Sequence, residues 1–259
     1  MAIQRQAQAF YLSSTLHEAN TKPFTLSATS ALDLLLDSFY LNVNLETQDR
    51  AALMTAMSIS GQSLFASDQG VPIVMFDPAN NYAVEGINAL SLTIATNQVF
   101  SCTIDHTFNT ALAPSNACGF SISTAPTDVV VSPNDSGSLL NYVFGMGAVE
   151  IAASGTATLQ AVSLRDNVFL GRLIMDCANS NRSLIQITSI KVDGIELLSA
   201  VTPSATPTLL HQFAPDSNDK TGLQLNYVVR QNSIVQIDVK NVDPANPVKV
   251  AGGFYCKSI

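Results

Sequence analysis

The sequence predicts an all-β protein built from two similar barrels that follow one another along the chain. Three observations indicate this fold class. Apolar and polar residues alternate with a period of two, turn-forming residues separate the alternating segments, and one pattern occurs twice. Such alternation is typical of half-buried antiparallel strands, because successive side chains of a strand point to opposite faces. The duplication divides the chain into units of roughly 100 to 130 residues.

Four short segments of the first half return in the same order in the second half. Gly61 returns as Gly194, a separation of 133 positions, and the other three separations are 137, 135 and 134. The paired segments are 57–65 with 190–198, 76–78 with 213–215, 97–104 with 232–239, and 117–120 with 251–254. Short apolar strings recur by chance, so the common order and the similar separations are what indicate an internal repeat.

The alternating segments of the two copies also agree in phase. They are residues 90–94 and 100–104 in the first copy, and 223–227 and 235–239 in the second. The predicted inward residues superpose at a separation of 135: Leu90 on Leu225, Phe100 on Val235, Cys102 on Ile237, and Ile104 on Val239. A slip of one residue would turn every side chain to the opposite face, so agreement in phase is a stricter test than identity.

Turn-forming residues punctuate these segments at 77–78, 132–137, 193–194, 216–219 and 243–247. About eight strands fit each half, which is the jelly-roll number. We therefore predict residues 1–22 as an N-terminal arm, residues 23–147 as a first jelly-roll barrel, and residues 148–259 as a second. The seam is expected near 144–147 or 153–155, with the barrels packed rigidly. Residues 2–18 carry a weak helical pattern, and residues 33–40 fit a helix or a strand equally.

Composition argues against several classes of protein. The formal net charge is −8 and Lys and Arg form no cluster, so direct nucleic-acid binding is not expected, since phosphates require grouped cations. Only 12% of the residues are charged. Either other protein covers much of the surface, or uncharged Ser, Thr and Asn side chains make up the polar surface. Neither a secretory signal nor a transmembrane segment is recognisable, and we expect a soluble chain made in a reducing cytoplasm.

No catalytic, cofactor-binding or metal-binding motif is recognisable, so we predict no such site and no enzyme activity. The three histidines, His17, His106 and His211, are isolated in the sequence. A Ser-His-Asp site around His106 or His211 would have to assemble in space. The pair Gly145 and Gly147 lacks the third glycine of a dinucleotide fingerprint.

Carboxylates and cysteines give equally little indication of chemistry. Four aspartates lie in predicted turns, where Asp stabilises the turn through its own backbone, and a loop calcium site is the alternative. They are Asp77, Asp216, Asp219 and Asp243. The cysteines have no zinc-like spacing and are predicted to be small buried apolar residues. They are Cys102, Cys118, Cys177 and Cys256.

Two consecutive units of jelly-roll size, a short N-terminal arm, low charge and no catalytic set resemble one family. This is the double jelly-roll major capsid proteins of tailless, membrane-containing icosahedral bacteriophages. The resemblance covers about residues 22–259 and rests on architecture. It implies a homotrimer whose six barrels form a pseudo-hexagonal tile of the virion shell, after synthesis in the host cytoplasm.

The resemblance also implies partners. These are other copies of the chain, penton or minor capsid proteins, and an internal viral membrane or neighbouring chains beneath the tile, contacted by residues 2–21. Residues 133–137 and 215–219 would then form outward loops. Two alternatives remain open. One is a tandem β-sandwich binding module such as a phage spike or adhesin, which the absence of Trp disfavours. The other is a bicupin-like enzyme, which requires clustered histidines with a carboxylate.

Overall fold

A computed structural model of the chain describes residues 8–11, 23–41, 51–76, 92–105, 118–124, 141–177, 182–198, 208–210 and 224–259. Within these ranges the protein is all-β, with eighteen strands and two short 3₁₀ helices, Ile73–Phe76 and Arg182–Leu184. A search of these same residues finds no helix long and apolar enough to cross a membrane.

The first nine strands form two antiparallel sheets. One has the strand order β1-β9-β3-β7, and the other has the order β2-β8-β4-β5, with β6 also paired to β4. The bounds are β1 Gln8–Tyr11, β2 Phe24–Thr29, β3 Leu34–Leu41, β4 Leu53–Ile59, β5 Gln62–Ser63, β6 Val71–Pro72, β7 Leu92–Ile94, β8 Val99–Asp105 and β9 Cys118–Thr124. Side chains of both sheets contribute to one apolar core, so the two sheets form a first barrel.

The other nine strands repeat this arrangement. Their sheets have the orders β10-β18-β12-β16 and β11-β17-β13-β14, with β15 also paired to β13. The bounds are β10 Asn141–Ile151, β11 Thr156–Val162, β12 Val168–Cys177, β13 Ile185–Val192, β14 Ile195–Glu196, β15 Thr208–Leu209, β16 Gln224–Val229, β17 Ile234–Asn241 and β18 Val248–Ser258. In each barrel the first strand pairs with the last and the second with the next to last, which is the jelly-roll order.

Equivalent strands of the two barrels pair in equivalent register. Strand β1 places Phe10 opposite Phe120, and β10 places Phe144 opposite Phe254, 134 positions later in both strands. The bulges also coincide. The register of β4 on β8 shifts between residues 54 and 56, and that of β13 on β17 shifts between residues 187 and 189. The predicted duplication is therefore confirmed at the level of individual backbone pairs.

The turns of the two copies use the same unusual backbone conformations. The β4–β5 and β13–β14 hairpins each have two consecutive residues with positive φ, as a type I′ turn requires. The values are 47° at Ser60, 82° at Gly61, 49° at Asp193 and 80° at Gly194. The residue two positions before β8, and the residue two positions before its counterpart β17, also have a positive φ, 66° at Asn97 and 68° at Asn232. Turn geometry is thus conserved between copies where sequence identity is not.

The predicted inward residues of both copies are buried. At most 1% of the surface is exposed in six of them, namely Phe100, Cys102, Ile104, Val235, Ile237 and Val239. Leu225 is half-buried against the second core, and Leu90 lies outside the described residues. The all-β prediction and its alternating phase are confirmed for these strands.

The structure changes the interpretation of the N-terminal region. Strand β1 lies within residues 1–22, which were predicted as an arm outside the repeat, yet it pairs with β9 just as β10 pairs with β18. The edge of β9 supplies backbone hydrogen bonds to residues 8–11, whereas their helical pattern is too weak to bury an apolar face. The sequence pattern of residues 33–40 fitted a helix or a strand equally. In the structure residues 34–40 belong to strand β3, which lies between β9 and β7.

The predicted division of the chain also requires revision. The boundary between residues 147 and 148 falls inside β10, as does the expected seam at 144–147, and residues 153–155 lie between β10 and β11. Both places therefore belong to the second barrel. We propose that the division lies between β9 and β10, at residues 125–140. Of the predicted turns, 243–247 lies between β17 and β18, while 77–78, 132–137 and 216–219 lie outside the described residues.

Candidate assembly interface between the two barrels

Residues 63–70 of the first barrel, which begin with the last residue of β5 and are here called the strap, extend onto the second barrel. The strap lies between the outer edges of β10 and β11, a gap here called the slot. On the β10 side, the Ala66 amide donates to the Val143 carbonyl at 2.8 Å, and the Val143 amide donates to the Leu64 carbonyl at 3.1 Å. Phe65 and Val143 form a parallel β-bridge. The strap thus adds a short strand to an edge that would otherwise expose its peptide groups.

The strap also forms hydrogen bonds with the β11 side of the slot. The Leu164 amide donates to the Ala66 carbonyl at 2.8 Å, and the Asp68 amide donates to the Val162 carbonyl at 3.1 Å. The Asp68 carboxylate accepts the Val162 amide at 2.8 Å. Because edge peptide groups of both sheets find partners in one segment, the strap closes the second barrel along this side.

Arg165 clamps the beginning of the strap. Its Nη2 donates to the Ser63 carbonyl at 2.5 Å, and its Nε lies 3.4 Å from the Phe65 carbonyl. The guanidinium lies 4.2 Å from the ring centroid of Tyr142. Charge-assisted hydrogen bonds and a cation–π contact together fix a planar guanidinium. Arg165 therefore joins a second-barrel loop to the first barrel.

Gly145 permits the closest approach of the two barrels. A Cβ at this position would lie 2.1 Å from the Gln69 carbonyl oxygen and 2.3 Å from that of Gly70. Both oxygens are backbone atoms, so any side chain at residue 145 would displace the strap. The Ser67 hydroxyl, which is buried, donates to the Gly145 carbonyl at 2.8 Å. The glycine pair at 145 and 147 thus has a packing role.

A second contact lies beside the strap. The Tyr255 hydroxyl donates to the Met75 carbonyl at 2.5 Å, and burial raises the pKa of Tyr255 well above its ordinary value. The phenol consequently remains a neutral donor. Val143, Ile174 and Tyr255 of the second barrel belong to the first barrel's apolar core. The barrels thus share core residues as well as the hydrogen bonds of the strap.

The predicted catalytic and metal candidates form no site in the described residues. His17, His106 and His211 lie outside them, as do Asp77, Asp216 and Asp219. Asp243 is described, and its carboxylate accepts the Ala245 and Asn246 amides at 2.8 and 3.2 Å, as expected for a turn residue. No cluster of three or more His, Cys, Asp or Glu side chains suited to a metal occurs in the part of the chain that is described.

The cysteines that the structure describes have the environment predicted for them. Cys102, Cys177 and Cys256 are buried, and burial raises the pKa of the Cys256 thiol well above its ordinary value. A neutral buried thiol behaves as a small apolar residue. The side chain of Cys118 lies outside what the structure describes.

Comparisons with known proteins identify no family from sequence. No family model and no curated protein matches the chain. The major capsid protein P2 from bacteriophage PM2 is similar in structure, with 9% identity, a TM-score of 0.45 and 98% of each chain covered. The plant peptide RALF23 in complex with FER and LLG2 gives 10% identity and a TM-score of 0.26, covering 98% of this chain and 88% of the other. Both TM-scores are below 0.5, so the fold assignment rests on strand order and register.

Proposed function

We propose that this chain is a structural capsid protein, and that three copies form a pseudo-hexagonal tile of an icosahedral virus shell. The observation that carries the proposal is the junction between the barrels. It is heterologous: the first barrel contributes its strap, and the second contributes the slot. A heterologous contact repeated between equivalent units closes into a ring or continues as a filament. Three double barrels are the smallest set that gives a six-barrel ring.

The rigidity of the junction supports closure of the ring. A flexible linker would allow a range of angles between the barrels, whereas the shared core around Tyr255 and the close approach at Gly145 oppose changes of that angle. A small charged fraction, 12% of residues, suits a protein whose barrel sides contact other barrels, because charges buried without partners are costly. Neither feature requires a catalytic group.

The proposal extends to location and partners. The protein would be made in the host cytoplasm and reside in the virion shell, beside penton or minor capsid proteins at positions that the tile does not fill. Since Gln8–Tyr11 form strand β1 of the first barrel, we assign contact with an internal membrane or neighbouring tiles to the rest of residues 2–21.

Light scattering coupled to size-exclusion chromatography, followed by negative-stain microscopy, tests the proposal. We expect a particle of three times the chain mass of 27.5 kDa, with hexagonal outlines and larger sheets or shells at high concentration. A monodisperse monomer at high concentration would contradict it. If that monomer bound glycans or cell surfaces saturably, a tandem binding module would be the function that the data support in place of a capsid protein.

A further inference from the structure

The first barrel has its own counterpart of the slot. Strands β1 and β2 are edge strands, as β10 and β11 are in the second barrel. Between β10 and β11 lies the strap, but in the part of the chain that is described no strand pairs with the outer edge of β1 or β2. The gap between β1 and β2 is here called the open slot. Within the described residues, the slot of the second barrel is therefore occupied and that of the first is not.

The floor of the open slot has the geometry of the occupied one. In the second barrel, the Asn232 amide donates to the Ser163 carbonyl at 2.8 Å. In the first, the Asn97 amide donates to the Ser30 carbonyl at 2.7 Å. Both serines are fully buried, and each hydroxyl donates to the carbonyl two residues later, at 2.6 Å for Ser30 and 2.8 Å for Ser163. The open slot is therefore preformed.

The second barrel has a counterpart of the strap's beginning. The Leu64 amide donates to the Met57 carbonyl at 2.8 Å, and the Leu197 amide donates to the Ile190 carbonyl at 2.7 Å. The chain therefore leaves both hairpins in the same direction. Leu64 and its neighbour Phe65 are buried in the first barrel's apolar core, which Val143 of the second barrel also joins, whereas Leu197 and Leu198 are only half-buried against the core of the second barrel.

An exposed leucine lies beside the open slot. Leu32 occupies the position equivalent to Arg165, 133 residues earlier, and 60% of its surface is exposed. Arg165 is engaged by the strap in the second barrel. Leu32 has no such partner among the described residues of its own barrel, and its apolar side chain suits contact with apolar residues such as Leu197 and Leu198.

We propose that the open slot binds a second copy of this chain through Leu197 and Leu198, which follow strand β14. Leu198 of one copy then lies opposite Ala9 of the next, as Phe65 lies opposite Val143 within one chain. The interchain seam thereby uses positions equivalent to those at the beginning of the intrachain seam. The inference rests on the proposed function, because it names the seam that joins the copies.

The two seams differ in two respects. Tyr11 occupies the position equivalent to Gly145, 134 residues earlier, so the close backbone approach at Gln69 and Gly70 is not reproduced between copies. Leu32 replaces the Arg165 clamp. The interchain seam is therefore centred on Leu197, Leu198 and Leu32, and it is more apolar than the intrachain one.

Cysteine cross-linking tests this pairing directly. We make Ala9→Cys and Leu198→Cys in separate chains, mix them under mild oxidation, and analyse the products by non-reducing electrophoresis. Paired residues of adjacent strands lie about 4.8 Å apart, within the range of about 4.4–6.8 Å that a disulfide spans. We expect disulfide dimers from the mixture and none from either variant alone. Ala9→Cys/Leu198→Cys in one chain should give covalent trimers.

Three controls accompany the experiment. The unmodified protein reports any linkage through its own cysteines. Val228→Cys, at an exposed position on the far edge strand β16, mixed with Leu198→Cys should give no dimer. Phe65→Cys/Val143→Cys should form its disulfide within the chain.

The outcomes separate the two proposals. Trimers by light scattering without the Ala9–Leu198 link would overturn the inference alone. A cross-linked ladder that passes beyond three copies would support the seam but overturn the trimeric tile. A monomer that gives no link would overturn both.

Discussion

The two barrels have the same backbone frame but different cores. At four equivalent positions the first barrel has methionine, phenylalanine or cysteine, and the second has β-branched residues. The pairs are Met54 with Ile187, Met57 with Ile190, Phe100 with Val235, and Cys102 with Ile237, and all eight are buried. Register, bulges and turns are nevertheless the same. The frame therefore depends on phase and turn geometry, and many apolar side chains of suitable volume fill it.

The barrels also differ in how their edges are covered. The second barrel is closed by the strap from the first, while the first has no strap within the described part of the chain. The stability of the second barrel thus includes contacts with the first. Substitutions at matched positions in the two barrels can separate the contribution of the core from that of the strap.

Matched core truncations should give the largest difference between the barrels. Phe100→Ala removes a fully buried ring and should lower the free energy of unfolding by about 3–5 kcal/mol. Val235→Ala at the equivalent position removes two methyl groups and should cost about 2 kcal/mol. Guanidinium denaturation followed by circular dichroism measures both. Equal losses of unfolding free energy in the two variants would contradict the view that Phe100 and Val235 occupy equivalent places in their cores.

The close approach at Gly145 should give the next largest effect. Gly145→Ala places a methyl group against two backbone oxygens of the strap, and overpacking of this kind should cost about 2–3 kcal/mol. Gly252→Ala is the matched control in the same sheet, where the nearest atom is the flexible Met175 side chain at 3.2 Å. Thermal denaturation should show a much smaller change for the control. Similar changes of the melting temperature in the two variants would show that the tight contact does not lie at Gly145.

Local alternation was sufficient to predict the repeated strands. Phe100, Cys102 and Ile104 alternate with Ser and Thr, and burial of one face follows from that pattern without knowledge of the partner strand. Asp193-Gly194 likewise specifies its hairpin, since both residues tolerate positive φ. Phase and turn chemistry are local properties, which explains why sequence identified them.

Residues that depend on distant parts of the chain were not predictable in the same way. Strand β1 has only four residues, and it is a strand because β9, more than 100 residues later, accepts its backbone. Arg165 lies in a polar loop with no local signature, and its partners at Ser63 and Phe65 belong to the other barrel. The glycines at 145 and 147 were a visible signal, but a close approach is recognisable only once the opposing backbone is known.

Removal of the Arg165 clamp should have a moderate effect. Arg165→Ala removes charge-assisted hydrogen bonds to the strap and the contact with Tyr142, and it should reduce stability by about 1–2 kcal/mol. Arg165→Lys keeps the charge but lacks the planar fork, so it should recover less than half of the loss. Leu32→Ala is the matched change in the first barrel and should leave the monomer's stability nearly unchanged. Calorimetry at neutral pH distinguishes these outcomes, and a full rescue by Lys would assign the clamp to charge alone.

The smallest expected effect concerns a pair of hydrogen-bonded surface side chains that includes a titratable group in the second barrel only. The Thr158 hydroxyl donates to the Asp238 carboxylate at 2.6 Å and, with Lys191 at 3.1 Å, lowers the pKa of Asp238 below 3.8. The equivalent pair in the first barrel, Thr25 with Thr103, is neutral.

Because folding lowers the pKa of Asp238, its contribution to stability is complete above the unfolded value and is lost as the pH falls through the folded one. The side chain is about one-third exposed, so the contribution should be below about 1 kcal/mol. Denaturation midpoints between pH 2 and 6 should decline less steeply for Asp238→Asn than for the unmodified protein. Thr103→Ala should shift all midpoints equally, because no proton binds at that pair. An unchanged acid slope in Asp238→Asn would show that the carboxylate has the same pKa in the folded and unfolded chains.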